Sequence, residues 1–373
     1  METFSQISLI DLPLDSKVHL SGKSFVSKQL FTDACGSPMT VLTLCNGLLT
    51  YTVLPERGLD IGDIFLGDER FSWERDMKYL LHPGNVDLSA GSGAGWINGF
   101  YPAVASIGPE LFGTPGEGYT LHGTGSYSPA DTGSVKICFD DREITVEGIV
   151  PIKGYGPQPR FEKKVSLKCR YSSPVLLREE LTRNLSQEPV VLDDGLHIQL
   201  CGNYLDEGGR YVLPAKTAGM LLRDSAPPER DPLHVYGINE GSQPIRCYQY
   251  VPQPVPGLES IGEISPYLPV LQNPLGITAE MLINEKEDAG AYVIRPLDCF
   301  PRSLIAKEVS GSRMFALEPC RTRPNRMSQK ITDGEAFFLA PQARSTTRCL
   351  LGVSRCRETV LSLERLITSV SIP

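Results

Sequence analysis

The fold of this chain is most constrained by a succession of short segments rich in β-branched and aromatic residues, each closed by Gly, Pro, Asn or Asp. They run over 41–54, 134–150, 163–168, 175–183, 195–201, 291–294 and 314–318. Helical periodicity is confined to the C-terminus, where Val360, Leu363, Leu366, Ile367 and Val370 recur at helical spacing opposite Glu358, Ser362 and Arg365. This pattern predicts an all-β chain with few short helices, folded as a sandwich or barrel. Asp140-Asp141 reads as a hairpin turn, with further turns at 184–186 and 207–209. There is no internal repeat. The irregular stretches 225–232 and 251–256 are too short to be linkers, so one continuous β domain over residues 1–373 is expected.

Residues 71–130 form a long glycine-rich excursion within that pattern. Gly91, Gly93 and Gly95 imitate a nucleotide loop, but no clear strand precedes them and no helical pattern follows. A tightly turned or mobile rim around a pocket fits better. Glycine and proline, 35 and 30 of 373 residues, remain well below the roughly 25–30% of a disordered chain.

A net charge of −8 lacks the positive stripe that nucleic-acid binding requires. The first fifteen residues carry Glu2, Asp11 and Asp15 and do not read as a signal peptide, and no apolar run is long enough to span a membrane. A cytoplasmic protein with a small neutral or mildly polar ligand is the expectation. The ten scattered cysteines lack metal or redox spacing and read as free, mostly buried thiols.

Candidate chemistry lies at a few positions. In 195–201 the aliphatic Leu196, Ile198 and Leu200 share one strand face, which leaves His197 and Gln199 together on the other, toward a cleft or solvent. Glu318 shares its face with Met314 and Ala316, opposite Phe315 and Leu317. Both faces read as buried, so Glu318 is either a base with a raised pKa or the partner of Arg321 or Arg323. Arg57 and Asp60 sit in a Pro55 to Ile61 turn, where a surface ion pair is the simpler reading. His122 follows the glycine-rich rim and precedes Gly123, whose small size permits close approach of a ligand.

Taken in order, Pro55-Glu56-Arg57-Gly58-Leu59-Asp60-Ile61, Leu121-His122-Gly123, Arg183-Asn184-Leu185 with Leu196-His197-Ile198, Leu205-Asp206-Glu207-Gly208 and Leu317-Glu318-Pro319 resemble the successive motifs of the galactose mutarotase (aldose 1-epimerase) superfamily. More narrowly, they resemble its branch described as a domain of unknown function. The resemblance spans about 41–353. It departs from the usual pattern at Leu200-Cys201-Gly202-Asn203, where a Phe-Gly and a Pro are common, around Ser303-Leu304, where a Trp-Lys is absent, and at Cys320 in place of glycine.

The resemblance implies a β-supersandwich whose concave face binds a sugar. It implies that His197 is the general acid toward the ring oxygen and Glu318 the general base toward the anomeric hydroxyl, on opposite sides of one pocket. His122, Arg57 and Gln199 would contact substrate, with Asp60 orienting Arg57. No metal or organic cofactor is needed for such proton transfer. Two other function classes remain open: a carbohydrate-binding protein without catalysis, and an enzyme for an acidic or phosphorylated sugar that uses Arg57, Arg321, Arg323 and Arg326. The sequence identifies neither the sugar nor the oligomeric state.

Overall fold

The computed structural model describes residues 5–156, 158–223, 227, 229, 231–237, 244–309 and 312–371. Part of the 225–232 stretch therefore lies outside the described residues. Among those described, two large antiparallel sheets dominate. One has nine strands in the spatial order Ser5–Ser8, Lys136–Phe139, Glu143–Ile152, Phe161–Arg170, Val175–Asn184, Arg344–Ser354, Gly290–Pro296, Ile277–Ile283 and Arg210–Val212. The other has twelve strands. Its central order is Arg246–Tyr250, Arg302–Glu308, Met314–Cys320, Gly195–Ile198, Val104–Ile107, Asp60–Leu66 and Leu49–Leu54.

Strand alternation assigns the layers. Leu176, Val293 and Leu351 of the nine-stranded sheet join Ile61, Ile198, Ile305, Phe315 and Leu317 of the other in the main core. Their neighbours Val175, Leu177, Tyr292, Ile294 and Leu350 point the other way, into a second core. The helix Arg357–Ser371 closes that outer face with Val360, Leu363 and Ile367, three positions that the helical spacing selects. Burying each such side chain contributes about 1.5–3 kcal/mol.

The 41–54 segment is two strands, Pro38–Cys45 and Leu49–Leu54. Asn46 turns the chain between them, its Oδ1 accepting from the N–H groups of Leu48 and Leu49 at 2.9 and 2.7 Å. Asp140 makes the predicted hairpin turn the same way, accepting from the amides of Arg142 and Glu143. All ten cysteines are free thiols and six are buried. No helix among the described residues is long and apolar enough to cross a membrane.

Charge is also buried between the sheets. Glu180 receives Lys163 Nζ at 2.7 Å and Arg178 at 2.7 Å, while Arg178 also donates to the Leu59 carbonyl at 3.0 Å and to Ser106 Oγ at 2.8 Å. This network ties the nine-stranded sheet to the strands that hold the candidate site.

Candidate active site

The pairing register brings the two central residues together. Gly195 pairs with Cys320 and Ile198 with Leu317, which sets His197 opposite Glu318 on adjacent antiparallel strands. Directly opposed residues share a face. Leu196, Ile198, Phe315 and Leu317 take the core face, leaving the imidazole and the carboxylate on the outer one. His197 Nε2 lies 3.4 Å from Glu318 Oε1. The two therefore stand side by side on the floor of the cavity, not on opposite sides of it. The alternative partners for Glu318 are engaged elsewhere: Arg321 pairs with Asp194 at 2.7 Å and Arg323 with Glu335 at 3.1 Å.

A cavity of about 390 Å³ opens over this pair. Its floor is the same sheet face, where Cys247, Leu304, Ala306, Glu308, Met314, Glu318 and His197 alternate with core residues along their strands. Its wall is the glycine-rich excursion, which contributes Trp73, Arg75, Trp96, Phe100 and His122. The excursion is the tightly turned rim that its glycines predict. Gly113, at φ +104°, packs where a Cβ would come 2.3 Å from Pro324 Cα, so a side chain there would push the rim off the facing loop.

His122 also has left-handed backbone, at φ 56°. Its carbonyl accepts from Gly108 N at 2.9 Å and its amide donates to Gly113 O at 3.3 Å, which holds a conformation that costs on the order of 1–3 kcal/mol. The imidazole stacks on Phe112 and stands edge-on to Trp96 and His197. Gly123 packs against Gly108 O and Glu110, where a Cβ would lie 2.8 Å from each, and it does not line the cavity.

Electrostatics favour neutral imidazoles. Burial, with a smaller contribution from Lys330, pushes the His122 pKa down to about 3. Burial and the neighbouring His122 hold His197 well below the ordinary histidine value. The Gln199 side-chain amide hydrogen-bonds His197 Nδ1. With that amide as donor, the His197 proton sits on Nε2, the nitrogen facing Glu318 and the cavity.

The other expected contacts lie elsewhere. Gln199 is fully buried behind His197 and does not line the cavity, so it acts on the imidazole and not on a ligand. Arg57 is also fully buried and absent from the lining. It donates to Ser126 O at 2.7 Å and Gly99 O at 2.8 Å and lies 4.1 Å over the Tyr127 ring. Tyr127 in turn donates to the Trp96 carbonyl. Arg57 therefore supports the wall, through Tyr127 and Trp96. Asp60 makes no direct hydrogen bond to it: its carboxylate takes Ser106 N at 2.9 Å and lies 3.5 Å from Arg178, and it acts on Arg57 by charge and by way of Ser126, whose hydroxyl accepts from Arg57 at 3.2 Å. The aromatic wall and Arg75, Arg223 and Glu308 escaped sequence reasoning. The available signal was that the chain's only two tryptophans both fall in the excursion. Among the described residues, no cluster of three or more His, Cys, Asp or Glu could hold a metal ion.

Comparison with known proteins places this geometry in a family. The model described as "Domain of unknown function (DUF4432)" matches residues 36–353. The chain belongs to this family. Its fold is galactose mutarotase-like. It is similar to the structure of a candidate aldose 1-epimerase from Klebsiella pneumoniae subsp. pneumoniae, at 17% identity and a TM-score of 0.75, covering 99% of this chain and 92% of that one. It is also similar to a galactose mutarotase-like protein from Clostridium acetobutylicum, at 11% identity and 0.59, over 89% and 98%. A candidate mutarotase from Salmonella typhimurium gives 9% and 0.57, over 93% and 98%. No curated protein matches by sequence. At these identities the likenesses show the fold alone.

Proposed function

We propose that this member of the DUF4432 family is a sugar mutarotase, an aldose 1-epimerase-like isomerase that acts as one unit over the whole chain. The reading rests on the 3.4 Å separation of His197 Nε2 and Glu318 Oε1 on a cavity floor. An acid and a base so close can serve only two neighbouring substrate atoms. The ring oxygen and the anomeric hydroxyl of a cyclic sugar are such a pair, because one carbon carries both.

In the proposed reaction Glu318 takes the proton of the anomeric hydroxyl, and the ring oxygen receives one from His197 Nε2 as its bond to the anomeric carbon breaks. The aldehyde rotates and recloses onto its other face, and the proton transfers reverse. The ring oxygen needs an imidazolium as donor. The adjacent carboxylate favours that form, whereas burial and His122 oppose it. His122 remains neutral and holds a sugar hydroxyl, while Trp96 and Phe100 supply apolar surface for the ring.

The test is anomer interconversion of a sugar panel, followed by polarimetry and saturation-transfer NMR. His197→Ala and Glu318→Gln should each lower the rate by 10²-fold or more, with circular dichroism unchanged. Full activity in either variant refutes the assigned roles, and sugar binding without interconversion in the native protein makes it a binding protein.

A further inference from the structure

One end of the cavity holds a cation that the proton transfers above do not use. Arg75 lines it, half-buried, with its guanidinium 3.5 Å from the Tyr79 ring centre and 4.7 Å from that of Trp73. Trp73 is fixed by its indole N–H on the Ser312 carbonyl at 2.7 Å. Rings stacked on a guanidinium occupy its faces and leave its N–H groups, which all lie in the plane, available only along the edge. Arg75 Nε is buried and has no hydrogen-bond partner, and no ion pair of Arg75 exists among the described residues. The nearby carboxylate of Glu308 instead accepts from the Ser312 hydroxyl. Burial lowers the Arg75 pKa, against the opposing influence of Tyr79, Glu308 and Asp76, none of which forms an ion pair with it. Arg223 lines the same cavity.

The position of this cation bears on the shape of a ligand. Glu308 pairs with Met314, four residues before Glu318 on the same strand, so this end lies roughly 13 Å along the floor from the acid–base pair. The long Arg75 side chain closes part of that gap. A sugar with its anomeric carbon at His197 and Glu318 would turn its remote end toward Arg75.

We infer that the substrate carries an anionic group, a carboxylate or a phosphate, at the end remote from its anomeric carbon, and that Arg75 binds this group edge-on through its in-plane N–H donors. The inference deepens the mutarotase reading and rests on it for the placement of the anomeric carbon. The anionic group completes the hydrogen bonding of Arg75, and Tyr79 and Trp73 hold the fork in the orientation that a bidentate oxyanion needs.

Calorimetry on the full chain with glucose, glucuronic acid and glucose 6-phosphate tests it. One or both charged sugars should bind at least tenfold more tightly than glucose, and whichever leads identifies the group as carboxylate or phosphate. Arg75→Gln should reduce that preference by about tenfold or more, while Arg75→Lys, which keeps the charge but loses the planar fork, should retain part of it. Inorganic phosphate should compete with the charged sugar in the unaltered protein, a readout that needs no variant to fold. Equal affinity for charged and neutral sugars, no binding of either charged sugar, or a preference that survives Arg75→Gln overturns the inference. Interconversion of glucose with no preference for charge would sink this inference alone. An Arg75-dependent preference without interconversion would sink the mutarotase reading and leave the anion site standing.

Discussion

Glu180 offers the most direct measure of what holds the two sheets together. Its carboxyl is fully buried, which by itself would raise its pKa, but Lys163 and Arg178 overcome that cost and bring it to about 2, against an ordinary 4.5. A depressed pKa contributes stability that is present above the unfolded value and lost as pH falls toward the folded one. From pH 6 to pH 3, protonation of the unfolded carboxyl at 4.5 against the folded one near 2 removes about 2 kcal/mol. Glu180→Gln deletes this titration. The variant should be less stable at pH 7 by about 3–5 kcal/mol, because Lys163 and Arg178 stay buried with half their counter-charge gone. Its disadvantage should then shrink by about 2 kcal/mol at pH 3. Urea denaturation followed by tryptophan fluorescence at pH 7, 5, 4 and 3 reads both quantities. Parallel loss of stability in the two proteins between pH 6 and pH 3 would refute the claim that the cations hold Glu180 ionised.

Two further predictions concern the site. Gln199→Leu removes the partner of His197 Nδ1; in the imidazolium that donates from Nε2 this nitrogen also carries a proton, which the Gln199 amide receives by turning its oxygen toward it, and losing about 0.5–1.5 kcal/mol of that stabilisation should lower kcat for interconversion roughly 2- to 10-fold with little change in KM; an unchanged kcat would remove Gln199 from the mechanism. Because the His197 pKa is depressed, its imidazolium fraction falls about tenfold for each pH unit above that value, so kcat/KM should rise steadily from pH 8 to pH 6 with no plateau near 6.5. A titration near 6.5 that disappears in His197→Ala would show an unperturbed imidazole.

Much of the fold was legible because both faces of these strands carry information. Alternation correctly separated Leu196 and Ile198 from His197, and Phe315 and Leu317 from Glu318. Alternation is a property of one strand, however, and the adjacency of His197 and Glu318 comes from pairing strands about 120 residues apart in sequence. The 41–54 run concealed a turn because the Asn46-Gly47 signal lies inside a β-branched stretch. Arg75 was not legible at all. Nothing local marks an arginine as unpaired, and its environment is assembled from Tyr79, Trp73 and a strand that begins more than 200 residues later.

The misreading of Arg57 is instructive in a different way. Pro55 and Gly58 do form a turn, a single 3₁₀ element with Gly58 left-handed at φ 65°. That turn is buried because the excursion folds over it, and a Cβ on Gly58 would lie 2.6 Å from Gly125 O. Arg57 then binds Ser126 and Gly99 of the excursion, the Leu59 carbonyl receives Arg178 from the nine-stranded sheet, and Asp60 fixes Ser106 on the strand beside His197. Three residues within four positions thus reach the cavity wall, the opposite sheet and the cavity floor. The segment with the longest motif match is therefore a junction of the fold and makes no cavity contact through Arg57 or Asp60, whereas the residues that would meet a ligand stand in strings as short as Leu-His-Ile and Leu-Glu-Pro. A long motif here reports how many directions a turn must satisfy, and the chemistry needs only two side chains set opposite each other on neighbouring strands.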